Sequence, residues 1–375
     1  MSGALITVPR GVLIVASSLG AGGAEMVIRR LAEAIDRQRF HVKVACMKGR
    51  GPMGEVLAAL GVDVIELAPA SALTTDYFTF AKLLRVLREN RIEVVHTHET
   101  HGFVDAALCR MLLPNLRLVH TFHFGNYPHI DRRTRWMEYA AARVADRLLA
   151  VGEVQRQQVR EVYRLGDGRI ATVRNGVALP TGAGDPDFRR RVGANGRLLV
   201  GTIGNFIEQK GLEDLLLAAR RVRDAGHDAV FVVVGDGHLR PALEDSRRRL
   251  GLEDSVVFTG WIVNAAEAVL PAFDVFFQPS LWEAMSVVVL EAMAASKPVV
   301  ATTVGENPHV IDHEVDGLLV KPKDIDAMAA ALIRVIDDPD LRQRYGSAAR
   351  RKVEGQFTVA HMARAYEQIY LDVLR

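Results

Sequence analysis

Asn175-Gly176-Val177-Ala178-Leu179-Pro180-Thr181-Gly182-Ala183-Gly184-Asp185-Pro186 divides this chain in two. Glycine and proline recur through the stretch, so neither a helix nor a strand runs across it, and it reads as an interdomain linker. On both sides short β-rich runs alternate with helix-length amphipathic segments, the pattern of parallel sheets built from βαβ units. Before it, strands are expected at 12–17, 41–47, 62–67, 93–96, 116–122 and 147–151, with 170–173 last. After it the rhythm restarts at 198–203, 229–234, 256–259, 275–278, 299–302 and 318–320, and helix-rich sequence runs from Asp324 to Leu374. The fold class is therefore α/β, two doubly wound domains at 1–178 and 179–357 facing a cleft, with 358–375 as a closing helix. Open sheets of this kind bind ligands outside the carboxyl ends of their strands.

Composition agrees with that division. A chain of 375 residues suits two domains, and 49% hydrophobic with 25% charged residues excludes disordered, fibrous and disulfide-scaffold classes. No apolar stretch approaches the roughly 18 residues of a spanning helix, and Pro9, Arg10 and the short run from Val12 to Ala16 make a poor signal peptide. A cytoplasmic protein is expected. Cys46 and Cys109 read as small buried hydrophobes. The net charge of +2 hides an asymmetry: residues 1–180 hold 24 Lys and Arg against 17 Asp and Glu, and the remainder 23 against 28. The basic runs at 131–135 and 156–164 contain few aromatics, which favours solvated helix faces over a nucleic-acid groove.

Several strand ends carry chemistry. Ser17-Ser18-Leu19-Gly20-Ala21-Gly22-Gly23-Ala24-Glu25 feeds a glycine turn into a helix start, where backbone amides can meet an anion; a tight turn explains the glycines equally well. It is not a P-loop, because the Lys-Ser/Thr pair is absent. Val95-His96-Thr97-His98-Glu99-Thr100-His101 places three histidines at another strand end, with His96 and His98 on one face. Zinc ligation, a hydrogen bond to a ligand, and packing are all open to them. Leu118-Val119-His120-Thr121-Phe122-His123-Phe124-Gly125 repeats the arrangement one βα unit later. In the second half, Gly201-Thr202-Ile203-Gly204-Asn205-Phe206-Ile207-Glu208-Gln209-Lys210-Gly211 sets a lysine just before a helix, which suits a diphosphate or an ordinary surface position.

The most specific string is Pro279-Ser280-Leu281-Trp282-Glu283-Ala284-Met285-Ser286-Val287-Val288-Val289-Leu290-Glu291-Ala292-Met293-Ala294-Ala295. Two glutamates eight apart flank an apolar stretch that opens a helix, with Ser286 as its cap. Carboxylates there cost desolvation unless something needs them, and sugar or ribose hydroxyls are suitable donors.

Together these segments resemble the retaining glycosyltransferases of family 4, whose architecture is GT-B, two Rossmann-like domains. The resemblance runs through Gly22-Gly23-Ala24-Glu25, both histidine strand ends, Asn175-Gly176-Val177, Lys210-Gly211, Val234-Gly235-Asp236-Gly237 and above all Glu283 and Glu291. It implies that Glu283 meets the donor sugar's hydroxyls and that the backbone of Ala284, Met285, Ser286 and Val287 meets sugar and phosphates. Glu291 would hold the ribose, Lys210 the diphosphate, and Gly22 and Gly23 the phosphate from the other domain. His98 joins the donor contacts, and His123 matches the family's histidine near the transferred sugar. The closing helix resembles one that crosses back to the first domain. Two positions depart from the family. Asn205 stands where it usually has arginine, and Gly305-Glu306-Asn307-Pro308-His309 replaces its usual Gly-Gly-x-x-Glu, adding a carboxylate beside the sugar.

The expected activity is transfer of a hexose-type sugar, with retention, from a nucleotide diphosphate sugar to an acceptor hydroxyl in cell-envelope glycan or glycolipid synthesis. A UDP-sugar is the expected co-substrate, and neither a cofactor nor a metal is required. The expected partners are a glycan or lipid-linked acceptor and an anionic membrane surface at the inner membrane face, with no nucleic acid. Two rival readings stand beside it: a nucleotide-sugar-binding protein with weak or no transfer, and a metal-dependent hydrolase built on His96, His98 and His101.

Overall fold

The computed structural model describes residues 8–20, 22–67 and 79–375, so Ala21 of the glycine turn lies outside the described residues. Two compact units emerge, one of residues 1–176 with 359–375, the other of 177–358.

Among the described residues, the first unit holds a parallel seven-stranded sheet of β1 (Arg10–Ala16), β2 (Phe40–Cys46), β3 (Asp63–Glu66), β4 (Val94–Thr97), β5 (Arg117–Phe122), β6 (Arg147–Ala150) and β7 (Ile170–Thr172). Its order is β3-β2-β1-β4-β5-β6-β7. The second unit holds β8 (Leu198–Ile203), β9 (Ala229–Val234), β10 (Val256–Gly260), β11 (Val275–Gln278), β12 (Val299–Thr302) and β13 (Gly317–Val320), in the order β10-β9-β8-β11-β12-β13. The continuous apolar runs account for this arrangement. Val12 to Ala16 in β1 and the whole of β9 are buried, as strands covered by helices on both faces must be. Both are doubly wound Rossmann-like sheets, and each strand lies within about two residues of its expected span.

Helix ends follow local chemistry. Asp131, Asp324 and Asp338 cap the helices Arg132–Val144, Ile325–Asp337 and Pro339–Gln356, each carboxylate accepting a backbone N–H three residues on. The helix Val287–Ala294 carries apolar residues nearly all round, and the fold buries it.

The division between units falls after Gly176, two residues earlier than the sequence suggested. Val177 already belongs to the second unit: its N–H donates to Phe357 O at 2.8 Å, and it bridges Thr358. The closing helix, Val359–Leu374, packs in the first unit against the helix Gly23–Ala34. Tyr366 and Tyr370 are fully buried there, and Glu367 accepts from Asp36 N at 2.9 Å and Arg39 Nη1 at 3.1 Å.

Candidate functional site

Each sheet reverses its strand order once, between β8 and β11 in the second unit and between β1 and β4 in the first. Loops leaving such a pair diverge and open a crevice where ligands bind.

In the second unit the loop after β8 carries Lys210 in a 3-10 turn, Glu208–Lys210, and the loop after β11 carries Glu283. Lys210 Nζ lies 2.6 Å from Glu283 Oε1, and Ser280 Oγ donates to the same oxygen at 2.9 Å. Gln209 Nε2 donates to Glu283 Oε2 at 3.2 Å. The carboxylate, 7% exposed, thus accepts three bonds from the protein and keeps capacity for a further donor on Oε2. Two glycines let neighbouring segments press on the backbone of the loop that carries it. Gly211, at φ 60°, would place a Cβ 2.1 Å from Pro279 O, and Gly305, at φ 52°, would place one 2.2 Å from Glu283 O. A side chain at either position would force the backbone of this loop to shift.

Ser286 caps the next helix as expected from its position, accepting from Val289 N at 3.4 Å. Gln278 Nε2 donates to Ser286 Oγ at 2.6 Å, and Asn307 Nδ2 donates to Gln278 Oε1 at 3.1 Å, so the cap is braced from β11 and the loop after β12. Ala284, Met285 and Val287 are nearly buried, while Glu291 is half-buried in the helix. Asn205 is exposed. Glu306, the extra carboxylate of the departing motif, is fully buried, and its backbone N–H donates to Ala284 O at 2.9 Å.

In the first unit Gly22 and Gly23 open the helix Gly23–Ala34. Glu25 folds back over this start: a Cβ on Gly22 would meet its Oε2 at 2.4 Å. Burial, and the nearby Glu99, raise the Glu25 carboxyl above its usual range. Glu99 accepts from Ser17 N at 3.1 Å.

Four of the five strand-end histidines, all but His101, separate into two kinds. His120 lies on Phe103, rings 3.8 Å apart, and shares a 2.8 Å bond with Thr97 Oγ1. His96 shares bonds with Tyr370 OH at 2.6 Å and Thr121 Oγ1 at 2.8 Å, so both its nitrogens are taken. These two hold the core together. His98 and His123 instead bond one another, Nδ1 to Nε2, at 2.8 Å, and His98 Nε2 is buried without a partner among the described residues. Gln155 fixes the loop beyond His123, donating to Phe124 O at 2.7 Å and accepting from Val151 N at 2.8 Å. Burial presses all four imidazoles toward the neutral form, His96 to about 3, His123 to about 4, and His98 and His120 well below their ordinary value.

The proposed zinc set is not assembled. His96 has no free nitrogen, His101 is exposed on the helix Thr100–Leu112, and no group of three His, Cys, Asp or Glu among the described residues could hold a metal ion. Sequence reasoning missed Gln209 and Ser280. Gln209 stood beside Lys210 in the motif, but its partner lies 74 residues away.

Residues 185–352 match the family Glycosyl transferases group 1, and residues 21–179 match Glycosyltransferase Family 4. An alpha-maltose-1-phosphate synthase of Mycolicibacterium smegmatis is 30% identical over 312 residues, covering 75% of this chain and 79% of that protein. The chain belongs to the family 4 glycosyltransferases. This glycosyltransferase is also 26% identical over 368 residues, 94% of each chain, to the UDP-Gal:alpha-D-GlcNAc-diphosphoundecaprenol alpha-1,3-galactosyltransferase of Escherichia coli. Its fold is GT-B. The crystal structure of Anabaena HepE in complex with UDP and glucose matches it with a TM-score of 0.86 at 20% identity, over 97% of the transferase and all of the other chain. No helix among the transferase's described residues is long and apolar enough to cross a membrane.

Proposed function

We propose that this glycosyltransferase moves a hexose-type sugar from a UDP-sugar to an acceptor hydroxyl, with retention, in the synthesis of a cell-envelope glycan or glycolipid. The observation that carries the reading is the Lys210–Glu283 pair at the strand-order reversal of the second unit. An ammonium and a carboxylate held together are a matched receptor for a nucleotide sugar, the cation answering the diphosphate and the anion the sugar hydroxyls. The named relative from Escherichia coli and the UDP complex of Anabaena HepE support the choice of donor.

In this reading Glu291 holds the ribose, and the backbone of Ala284, Met285, Ser286 and Val287 with the helix start behind Ser286 holds the phosphates. Gly22 and Gly23 supply further amides, and His98 and His123 stand by the transferred sugar. As the diphosphate departs, Lys210 and the helix-end amides neutralise it while an oxocarbenium-like sugar forms. The departing phosphate takes the acceptor's proton, and the new bond forms on the same face. Asn205 adds no charge, so Lys210 carries the cationic part of this task.

Thermal-shift measurements with UDP-, GDP- and ADP-sugars test the donor, with the largest stabilisation expected from a UDP-sugar. Lys210→Ala should weaken UDP about 10- to 100-fold by calorimetry, the loss expected for a hydrogen bond to a charged group of about 1.5 to 3 kcal/mol. Unchanged affinity would place the phosphate site elsewhere.

The acceptor side of the proposal rests on the helix Arg132–Val144. Arg132, Arg133 and Arg135 are exposed along with Trp136 (71%), and the neighbouring helix Thr100–Leu112 exposes Leu108, Met111 and Leu112. Arginines beside an interfacial tryptophan suit an anionic membrane face, each charge adding about 1 kcal/mol near it. Phosphatidylglycerol vesicles should float the protein at low salt and release it at high salt, and the triple Arg→Ala variant should float less. A wild-type protein that ignores these vesicles at every salt concentration would point to a soluble acceptor.

A further inference from the structure

The closing helix reaches the histidine pair through a single intermediary. His96 is fully buried, and its two bonds, to Tyr370 OH and to Thr121 Oγ1, fix the plane of its ring. That ring lies against His98, centroids 4.2 Å apart, and His98 in turn bonds His123. The same helix grips both partners of His96. Tyr370 belongs to it, and its Tyr366 OH lies 3.4 Å from Thr121 Oγ1. Tyr370 is held in its turn by Phe40, which it meets edge-on at 5.8 Å. The Nε2 of His98 has no hydrogen-bond partner among the described residues, so its ring is set by the bond from Nδ1 to His123 and by packing, the face of His96 included.

We propose that Tyr370 and His96 are positioning residues for sugar transfer: they set the plane of His98 and, through its Nδ1, the place of His123. This inference rests on the reading that His123 stands beside the transferred sugar. Anchoring of the helix is a separate matter, since Glu367 accepts from Asp36 N and from Arg39 on the same surface. The Tyr370 hydroxyl therefore has a role beyond holding the helix in place. Packing and hydrogen bonds together hold a buried ring in one orientation, and loss of one of the two bonds to His96 lets its ring tilt. A misplacement of about 1 Å at a reacting group costs about 100-fold in rate, so a smaller tilt transmitted through two rings corresponds to roughly tenfold.

Full-length Tyr370→Phe and Thr121→Val each remove one bond to His96 while keeping most of the side chain's volume. Both should lower kcat about tenfold, leave KM for the nucleotide sugar unchanged, and shift the imidazole NMR signals of His98 and His123. Glu367→Gln, which loosens the helix without touching a histidine, should lower the melting temperature with kcat unchanged. Thr121→Val reads the same link if Tyr370→Phe fails to fold. Wild-type kcat in the folded variants, or a fall in kcat with the histidine signals unmoved, would overturn the inference. His123→Ala separates it from the reading beneath it. Full activity in that variant would remove His123 from the reaction, whereas its loss beside a wild-type Tyr370→Phe would sink only the role given to Tyr370.

Discussion

Glu283→Gln is expected to cut transfer about 100- to 1000-fold while the second unit stays folded, the usual effect of removing one group that stabilises developing charge. The substitution is nearly isosteric, and its effects on the two carboxylate oxygens differ. The oxygen that meets Lys210 and Ser280 can be kept as an amide carbonyl. The other is replaced by an NH2 facing the Gln209 amide, which must turn to present its own oxygen. That adjustment is local, and Lys210, with 22% of its side chain exposed, can turn toward solvent. The ion pair and the charge offered to sugar hydroxyls are lost together. Initial rates of transfer with matched circular dichroism spectra decide the matter, and activity within about threefold of wild type would end the assignment of Glu283 to the donor sugar.

The second large effect is expected on acidification. His96 and His123 titrate at about 3 and 4 in the folded protein, and His98 and His120 well below their ordinary value, in each case chiefly because burial disfavours the charged ring. An unfolded histidine titrates near about 6.5. Between that value and about 4 the unfolded chain therefore binds more protons than the native one, so stability falls as pH falls through this window. Each histidine contributes about 1.4 kcal/mol per pH unit, and four acting together remove about 5 kcal/mol per unit against a typical total of about 5 to 15. Glu25 and Glu138, raised by burial, act in the opposite sense but are two against four. The first unit should open near pH 5 while the second, whose histidines are not buried, persists. Hydrogen exchange followed by mass spectrometry at pH 7 and pH 5 reads this directly: β4 and β5 should lose protection before β9. Equal protection of β4 and β9 at pH 5 would show that the four rings do not govern stability.

The fold was legible because its signals are local. Apolar runs such as Ala229–Val234 declare a covered strand, and Ser286 ahead of an apolar segment declares a helix start. Parts of the site could be read in the same way, since Lys210 and Glu283 each follow a strand. Their pairing could not, because 73 residues separate them and the strand order that brings β8 beside β11 is a property of the folded sheet. The histidines show the limit most plainly. Alternation put His96 and His98 on one face, but it could not separate a core residue from a ligand-facing one. That distinction depends on Tyr370, 274 residues beyond His96. Glu306 shows a similar limit: its motif implied a carboxylate beside the sugar, and nothing in the string declares that the side chain is fully buried.

The first unit is built from two stretches of chain, residues 1–176 and 359–375, with the whole second unit between them. On the ribosome this imposes a schedule. At about 5 to 20 residues per second, roughly 10 to 40 seconds pass between the emergence of Gly176 and that of the helix Val359–Leu374. Until then β4 and β5 have their full length but lack Tyr366 and Tyr370, and the pocket that those rings fill stands open, with His96 missing a partner. The second unit has no such wait, because its residues are contiguous. The nascent protein therefore completes its C-terminal unit before its N-terminal one, reversing the order in which the two begin. A stop codon at residue 359 itself would yield a finished second unit joined to a first unit with an uncovered core, a form that proteases and chaperones recognise.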